Sequence, residues 1–220
     1  MNESGQTSDI VARQVKESLE GERTQSAGVT RASVRNAAFL AAAAARSFTR
    51  GAEHLAREVV EGTVRAAGEI TGETTTIVRD AVIGVVEGTE QAVRISSLAV
   101  RETVVGAVRG SSETAADVTV TGRSAVEGAI AGATSVGIGS TEAATAAVEG
   151  ALEAMVEAGG EVDDAARAAM TGVVSGVSAA GGDLPDAVRQ SAAVLVGSVP
   201  AQMRASMVWL ILPRACWKPF

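Results

Sequence analysis

A lone histidine, a lone cysteine, a short acidic cluster and a glycine pair are the residues of this chain that could do chemistry. Any Ser–His–acid triad would have to be built on His54. That residue stands in Glu53-His54-Leu55, within a helix-favouring stretch with no sign of a pocket, and reads as a surface histidine. Metal sites need clustered His, Cys or carboxylates. Glu161, Asp163 and Asp164 do cluster, but they follow Gly159-Gly160 and suit a helix cap and a solvated face. Gly137-Ile138-Gly139-Ser140 lacks the third glycine and the preceding strand of a dinucleotide fingerprint. Cys216 lies two residues beyond Pro213-Arg214, with nothing beside it to activate the thiol. The expectation is therefore of no catalytic residue, no cofactor, no metal and no small-molecule substrate.

What the chain does repeat is arginine. Arg13, Arg35, Arg57, Arg79, Arg101, Arg123, Arg167 and Arg189 hold a 22-residue beat that only Thr145 interrupts. Glycine keeps the same beat five residues later, at Gly62, Gly84, Gly106, Gly128, Gly150 and Gly172. In four repeats a second glycine follows at +4, giving Gly84/Gly88, Gly106/Gly110, Gly128/Gly132 and Gly172/Gly176. Fixed spacing over this length marks a repeat protein, whose function is spread along a surface.

The elements that carry these residues must be helical. Larger apolar side chains recur at steps of three and four, as in Val126 and Ile130 or Val148 and Leu152. Twenty-two is twice eleven, and eleven residues close three helical turns almost without drift. On such a helix Val, Ile and Leu gather on one side, Ala and Gly beside them, and the acids on the rest. The repeated Arg falls on the border between apolar and polar faces. There it lays its alkyl stem on the apolar side and pairs one turn on, Arg57 with Glu61 and Arg123 with Glu127. Alternatively Arg57, Arg79, Arg101, Arg123, Arg167 and Arg189 form a row that holds lipid phosphates. A β-solenoid of 22-residue rungs is the rival fold, supported by runs such as Val118-Thr119-Val120-Thr121 and opposed by the lack of sustained alternation.

Four regions follow from composition. Residues 1–30 are polar and read as disordered; 31–56 form a helical lead-in; 57–190 hold the regular repeats; 191–220 form an apolar, atypical tail. Gly159-Gly160 and Gly181-Gly182-Asp183-Leu184-Pro185 look like helix stops followed by starts. Earlier repeats lack that punctuation, and Gln91 to Val100 is expected to run straight through. Nineteen glycines lie between Arg57 and Gly182. At about 1 kcal/mol each relative to alanine, they cost an isolated helix of this sequence of order 10 kcal/mol. Neighbouring repeats, another copy or a lipid surface must supply what is missing. The Gly-x-x-x-Gly pairs named above are the candidates for close helix packing.

Composition narrows the partners. The net charge is −7 and the pI about 4.9, which places nucleic-acid binding poorly. Three Phe, two Trp and no Tyr leave little for a conventional core. One cysteine permits no internal disulfide, and the polar start lacks the pattern of a signal peptide, so the expectation is a reducing cytoplasm, with peripheral membrane association. Met207–Leu212 is the most apolar run; Trp209 and Trp217 suit anchoring at a membrane interface, though the run is too short to span.

Val59-Val60-Glu61-Gly62-Thr63-Val64 and Val104-Val105-Gly106-Ala107-Val108 resemble the 11-residue repeats of the synucleins, and in style those of perilipin-type lipid-droplet coats and late-embryogenesis-abundant proteins. The resemblance covers about 57–190. It implies disorder in solution and an amphipathic helix on lipid or on drying. The chain departs from that style in using Arg almost to the exclusion of Lys and in its negative charge. It also resembles uncharacterised bacterial proteins with glycine-punctuated 22-residue repeats.

Together these features predict an all-α protein, its repeats forming a segmented long helix or a loose helical array. The function expected is non-enzymatic: binding a lipid or granule surface, or self-associating as a scaffold. The alternatives are a stress-protective, largely disordered protein and an α-solenoid that docks a protein partner.

Overall fold

The computed structural model describes residues 10, 12–20, 31–44, 52–71, 74–90, 96–114 and 116–198. Residues 12–20 are helical. Eight longer helices follow: α1 (Arg31–Ala44), α2 (Ala52–Thr71), α3 (Thr74–Glu90), α4 (Ser97–Ser112), α5 (Val118–Ser135), α6 (Ser140–Glu157), α7 (Val162–Ala180) and α8 (Leu184–Ser198). Each 22-residue repeat thus carries one helix. No strand occurs among the described residues, so the β-solenoid alternative is set aside.

The turns explain the breaks. Gly137, Gly159 and Gly181 stand 22 residues apart with φ of 90°, 88° and 69°, where a side chain would be strained. Each closes its helix with the same pair of bonds. Gly182 N donates to the Val177 carbonyl and Gly181 N to that of Ser178; Gly160 and Gly159, then Ile138 and Gly137, repeat the arrangement. Side-chain caps start α5 and α8, whereas α6 and α7 begin without one. Asp117 Oδ1 accepts from Thr119 N and Val120 N at 2.9 and 3.2 Å, and Asp183 Oδ1 from Asp186 N at 3.1 Å.

The expectation of an unbroken helix across 91–100 is corrected. α3 ends at Glu90, and α4 begins at Ser97 with Ser96 Oγ accepting from Ala99 N at 3.3 Å. The long-helix version gives way to a packed array.

Each helix packs on the next, and α1 to α5 pack more extensively on the one after it. Helices two apart run parallel, since contacts advance in the same direction along both, Gly84 on Arg35 and Gly88 on Phe39, then Gly106 on Arg57 and Gly110 on Glu61. The result is two rows, α1-α3-α5-α7 and α2-α4-α6-α8, with one continuous core between and along them. The structural unit is therefore a pair of repeats. Valines and alanines fill the core. Val100, Val104, Val105 and Val108 form an apolar stripe along α4, and each is fully buried. Buried threonines turn their hydroxyls onto their own helix, as Thr63, Thr89 and Thr103 do to the carbonyls four residues earlier.

Two region boundaries also shift. Residues 12–20, expected to be disordered, are helical, and Val15 and Leu19 lie in the same core. α8 crosses the expected boundary at 190 and continues to Ser198.

Candidate functional site

The repeated arginine and glycine meet in space, but not within one repeat. Gly84 backs onto the Arg35 carbonyl, Gly106 onto Arg57, Gly128 onto Arg79, Gly150 onto Arg101 and Gly172 onto Arg123. Every pair is 49 residues apart: two repeats, plus the five-residue step from Arg to Gly. The arginine position is thus the ledge on which the parallel helix two places later rests. A Cβ on Gly128 would stand 2.6 Å from the Arg79 carbonyl oxygen, and one on Gly172 2.7 Å from that of Arg123. No ordinary carbon approaches so closely. The second glycines continue the contact one turn on. A Cβ on Gly110 would lie 2.5 Å from the Glu61 carbonyl, on Gly88 2.6 Å from that of Phe39, and on Gly132 and Gly176 3.0 Å from Val86 and Ile130.

The arginine side chains leave this ledge to roof the outside. They pair mostly with acids on the helix two places later. Arg35 meets Glu87, Arg101 meets Glu153 and Arg109 meets Glu157; Arg65 Nη1 reaches Glu113 Oε2 at 3.0 Å and Arg79 Nε reaches Glu127 Oε2 at 3.9 Å. Lys16 Nζ joins Glu69 Oε2 at 2.8 Å in the same sense, and that hydrogen bond raises the ammonium above its ordinary 10.5. Glu102 sits at the centre, accepting from Arg57 Nη1 at 3.3 Å and Arg101 Nη1 at 2.6 Å. Arg57 thus reaches across the stack to Glu102, a partner that helical spacing within one repeat does not point to. Arg123 and Glu127 do stand together, at 4.0 Å.

The ladder stops at the last two helices. Among the described residues Arg167 pairs with Asp164 of its own first turn, at 2.8 Å, and Arg189 with Asp186. Their side chains are 73% and 78% exposed, against 22% for Arg57.

The two ends of the array differ. A groove of about 380 Å³ lies at the N-terminal end between residues 12–20 and α1, lined by Val15, Ala37, Leu40 and Ala41 with Gln14, Glu17 and Ser18. Ser18 and Leu40 occupy the repeat position that is Gly84, Gly106 and Gly128 further along. At the other end Val174 and Val196 are exposed. Reading the repeats for their common pattern misses these positions. Comparing one repeat position across all copies finds them, because the end copies depart from the rest in residue type or in exposure.

His54 falls in the first turn of α2, and Glu161 takes the N-cap position of α7 without a side-chain cap bond. Trp209, Trp217 and Cys216 lie outside the described residues. No group of three His, Cys, Asp or Glu that could hold a metal ion occurs among the described residues, and no described helix is long and apolar enough to cross a membrane.

No family model matches the chain, and no curated protein matches it. Among solved structures it is similar to the de novo designed helical repeat protein DHR7, at 21% identity over 81% of this chain and 95% of that one, with a TM-score of 0.46.

Proposed function

We propose that this chain is a non-enzymatic scaffold: a preformed helical-repeat array whose ends and charged rim are its working surfaces. The observation that carries this reading is the placement of the apolar face. The Val, Ile and Ala positions that a lipid coat would insert are already buried between helices, as at Val104, Val126, Ile130 and Val148. Of the six arginines that would hold lipid phosphates, Arg57, Arg79 and Arg101 are engaged with carboxylates on neighbouring helices, and Arg123, Arg167 and Arg189 with carboxylates on their own. A surface helix of the synuclein kind needs both sets free. The stacking contacts also stand in for the lipid or second copy that the glycine penalty calls for.

Circular dichroism of the full chain tests this. High helicity in buffer and a cooperative thermal melt are expected, with little further helix on adding vesicles of zwitterionic or anionic lipid. A largely unfolded spectrum in buffer that turns helical on vesicles would overturn the scaffold reading and restore the lipid coat.

A further inference from the structure

α8 is attached to the array differently from α3 to α7. In each parallel pair from α1/α3 to α5/α7 a glycine of the later helix lies against the earlier one: Gly84 on α1, Gly106 on α2, Gly128 on α3, Gly150 on α4 and Gly172 on α5. The pair α6/α8 has no such contact among the described residues. Val194 holds the glycine position and Thr145 the ledge, and nothing lies within 4 Å of a Cβ built on Gly197. The ion pairs give the same picture. Carboxylates on α3, α4, α5 and α6 each meet a base on the helix two places earlier. Among the described residues α8 has no such pair; Asp186 holds Arg189 and, at 2.8 Å, Gln190, all on α8 itself. α7 lacks a cross-stack pair too, but it keeps its glycines on α5. In the contact that remains, one side chain works against docking. Ser191 is fully buried at the repeat position of Ala125, Ala147 and Ala169, and its hydroxyl has no hydrogen-bond partner. Thr103, at the same position on α4, donates its hydroxyl to the Ala99 carbonyl at 2.7 Å. Thr121 shares the lack of a partner, but on a helix that Gly128 and Gly132 hold in place. A buried hydroxyl left unpaired destabilises, and water reaching Ser191 on opening relieves it.

We infer that α8 is a hinged gate: it undocks from α6 and α7 as one unit under native conditions, while α1 to α7 stay packed. The inference rests on the scaffold reading and gives that scaffold a moving end. Gly181-Gly182 supplies the hinge. Gly181 already has φ of 69°, and glycine adopts either sign of φ at little cost. Asp183, Asp186 and Arg189 travel with the helix, so opening breaks neither its cap nor its ion pair. What opening uncovers is Leu152 on α6, buried when the gate is shut. Leu152 takes the repeat position of Val86 and Ile130, which Gly132 and Gly176 cover from the helix two places later. For Leu152 that helix is α8.

Hydrogen exchange of the full chain, read helix by helix, tests this. The amides of α8 are expected to exchange roughly a hundredfold faster than those of α6 and α7, at one common rate from Val188 to Leu195, as a single opening unit requires. Ser191→Ala is expected to slow α8 about tenfold and to leave α4 to α6 unchanged. In a Cys216→Ser background, Leu152→Cys is expected to react with a thiol reagent at a rate that Ser191→Ala slows by the same factor. Should Leu152→Cys lose the melt, the exchange pattern of the chain with Leu152 intact decides. Protection of α8 equal to that of α6 and α7 would overturn the inference. So would rates that rise smoothly toward Ser198, which mark simple fraying, or a Ser191→Ala effect shared equally by every helix. Labelling at position 152 that Ser191→Ala leaves unchanged would overturn it as well. Failure of the scaffold reading itself would show separately, as fast exchange in every helix and absence of the cooperative melt.

Discussion

Replacing Gly128 by alanine is expected to destabilise the protein by about 2 kcal/mol, even though alanine is the better helix former by about 1 kcal/mol. The added Cβ would sit 2.6 Å from the Arg79 carbonyl oxygen and 3.1 Å from Val82 Cβ. Neither neighbour is the loose end of a flexible side chain, so α3 and α5 would have to separate. Gly197→Ala supplies the contrast. Nothing lies within 4 Å of a Cβ built there, and that change is expected to be neutral or to stabilise by up to about 1 kcal/mol. Thermal melts separate the two: roughly 4–8 °C lost at Gly128 and none at Gly197. If both substitutions raised the melting temperature, helix propensity alone would govern the glycines and the stacking register would be wrong.

The second large effect is expected at Glu102. Its carboxylate holds Arg57 and Arg101 together, with the three side chains 10%, 22% and 26% exposed. Glu102→Ala leaves two half-buried guanidinium groups without this acceptor, at a cost of about 2 kcal/mol. Glu102→Gln keeps a hydrogen-bonding oxygen and is expected to lose about half of that. Asp164→Ala removes the partner of an arginine that is mostly in water, and is expected to stay within about 0.5 kcal/mol of the parent. Denaturant titration ranks the three. Equal losses at Glu102 and Asp164 would mean that the ladder adds nothing beyond ordinary surface pairs.

These two sites also show what the sequence makes legible. The helical period, the beat of 22 and the small-residue face can be read from residue types alone, because helical spacing is local. The 49-residue register cannot. It depends on helices two apart lying parallel, and hence on a break in every repeat. Gly159-Gly160 and Gly181-Gly182 announce their breaks. Gly137 makes the same turn with φ of 90°, yet in sequence it looks like part of an incomplete dinucleotide loop. The break before α4 carries no glycine; its signal is Ser96, a single capping hydroxyl among many serines. Once a break is missed, a long amphipathic helix looks plausible and its apolar side looks free for lipid. The same gap hides the ion pairs. Arg57 has Glu61 one turn on, whereas Glu102 is 45 residues away in sequence and comes near only through the stack.

One departure ties the two beats together. Thr145 is the break in the arginine series, and 49 residues later the glycine position holds Val194. Ledge and glycine are thus replaced at the same contact, between α6 and α8. That coincidence is what a pairwise interface leaves in a sequence and what two independent periodicities would not.

Amide hydrogen exchange in buffer tests the central claim most directly, because it reads enclosure residue by residue. In a packed array the amides of α4, where Val100 and Glu102–Val108 are buried, exchange orders of magnitude more slowly than those at the exposed end of α8, and the pattern is unchanged by vesicles. Uniformly fast exchange in buffer, with protection appearing along the repeats only when lipid is added, would contradict the account.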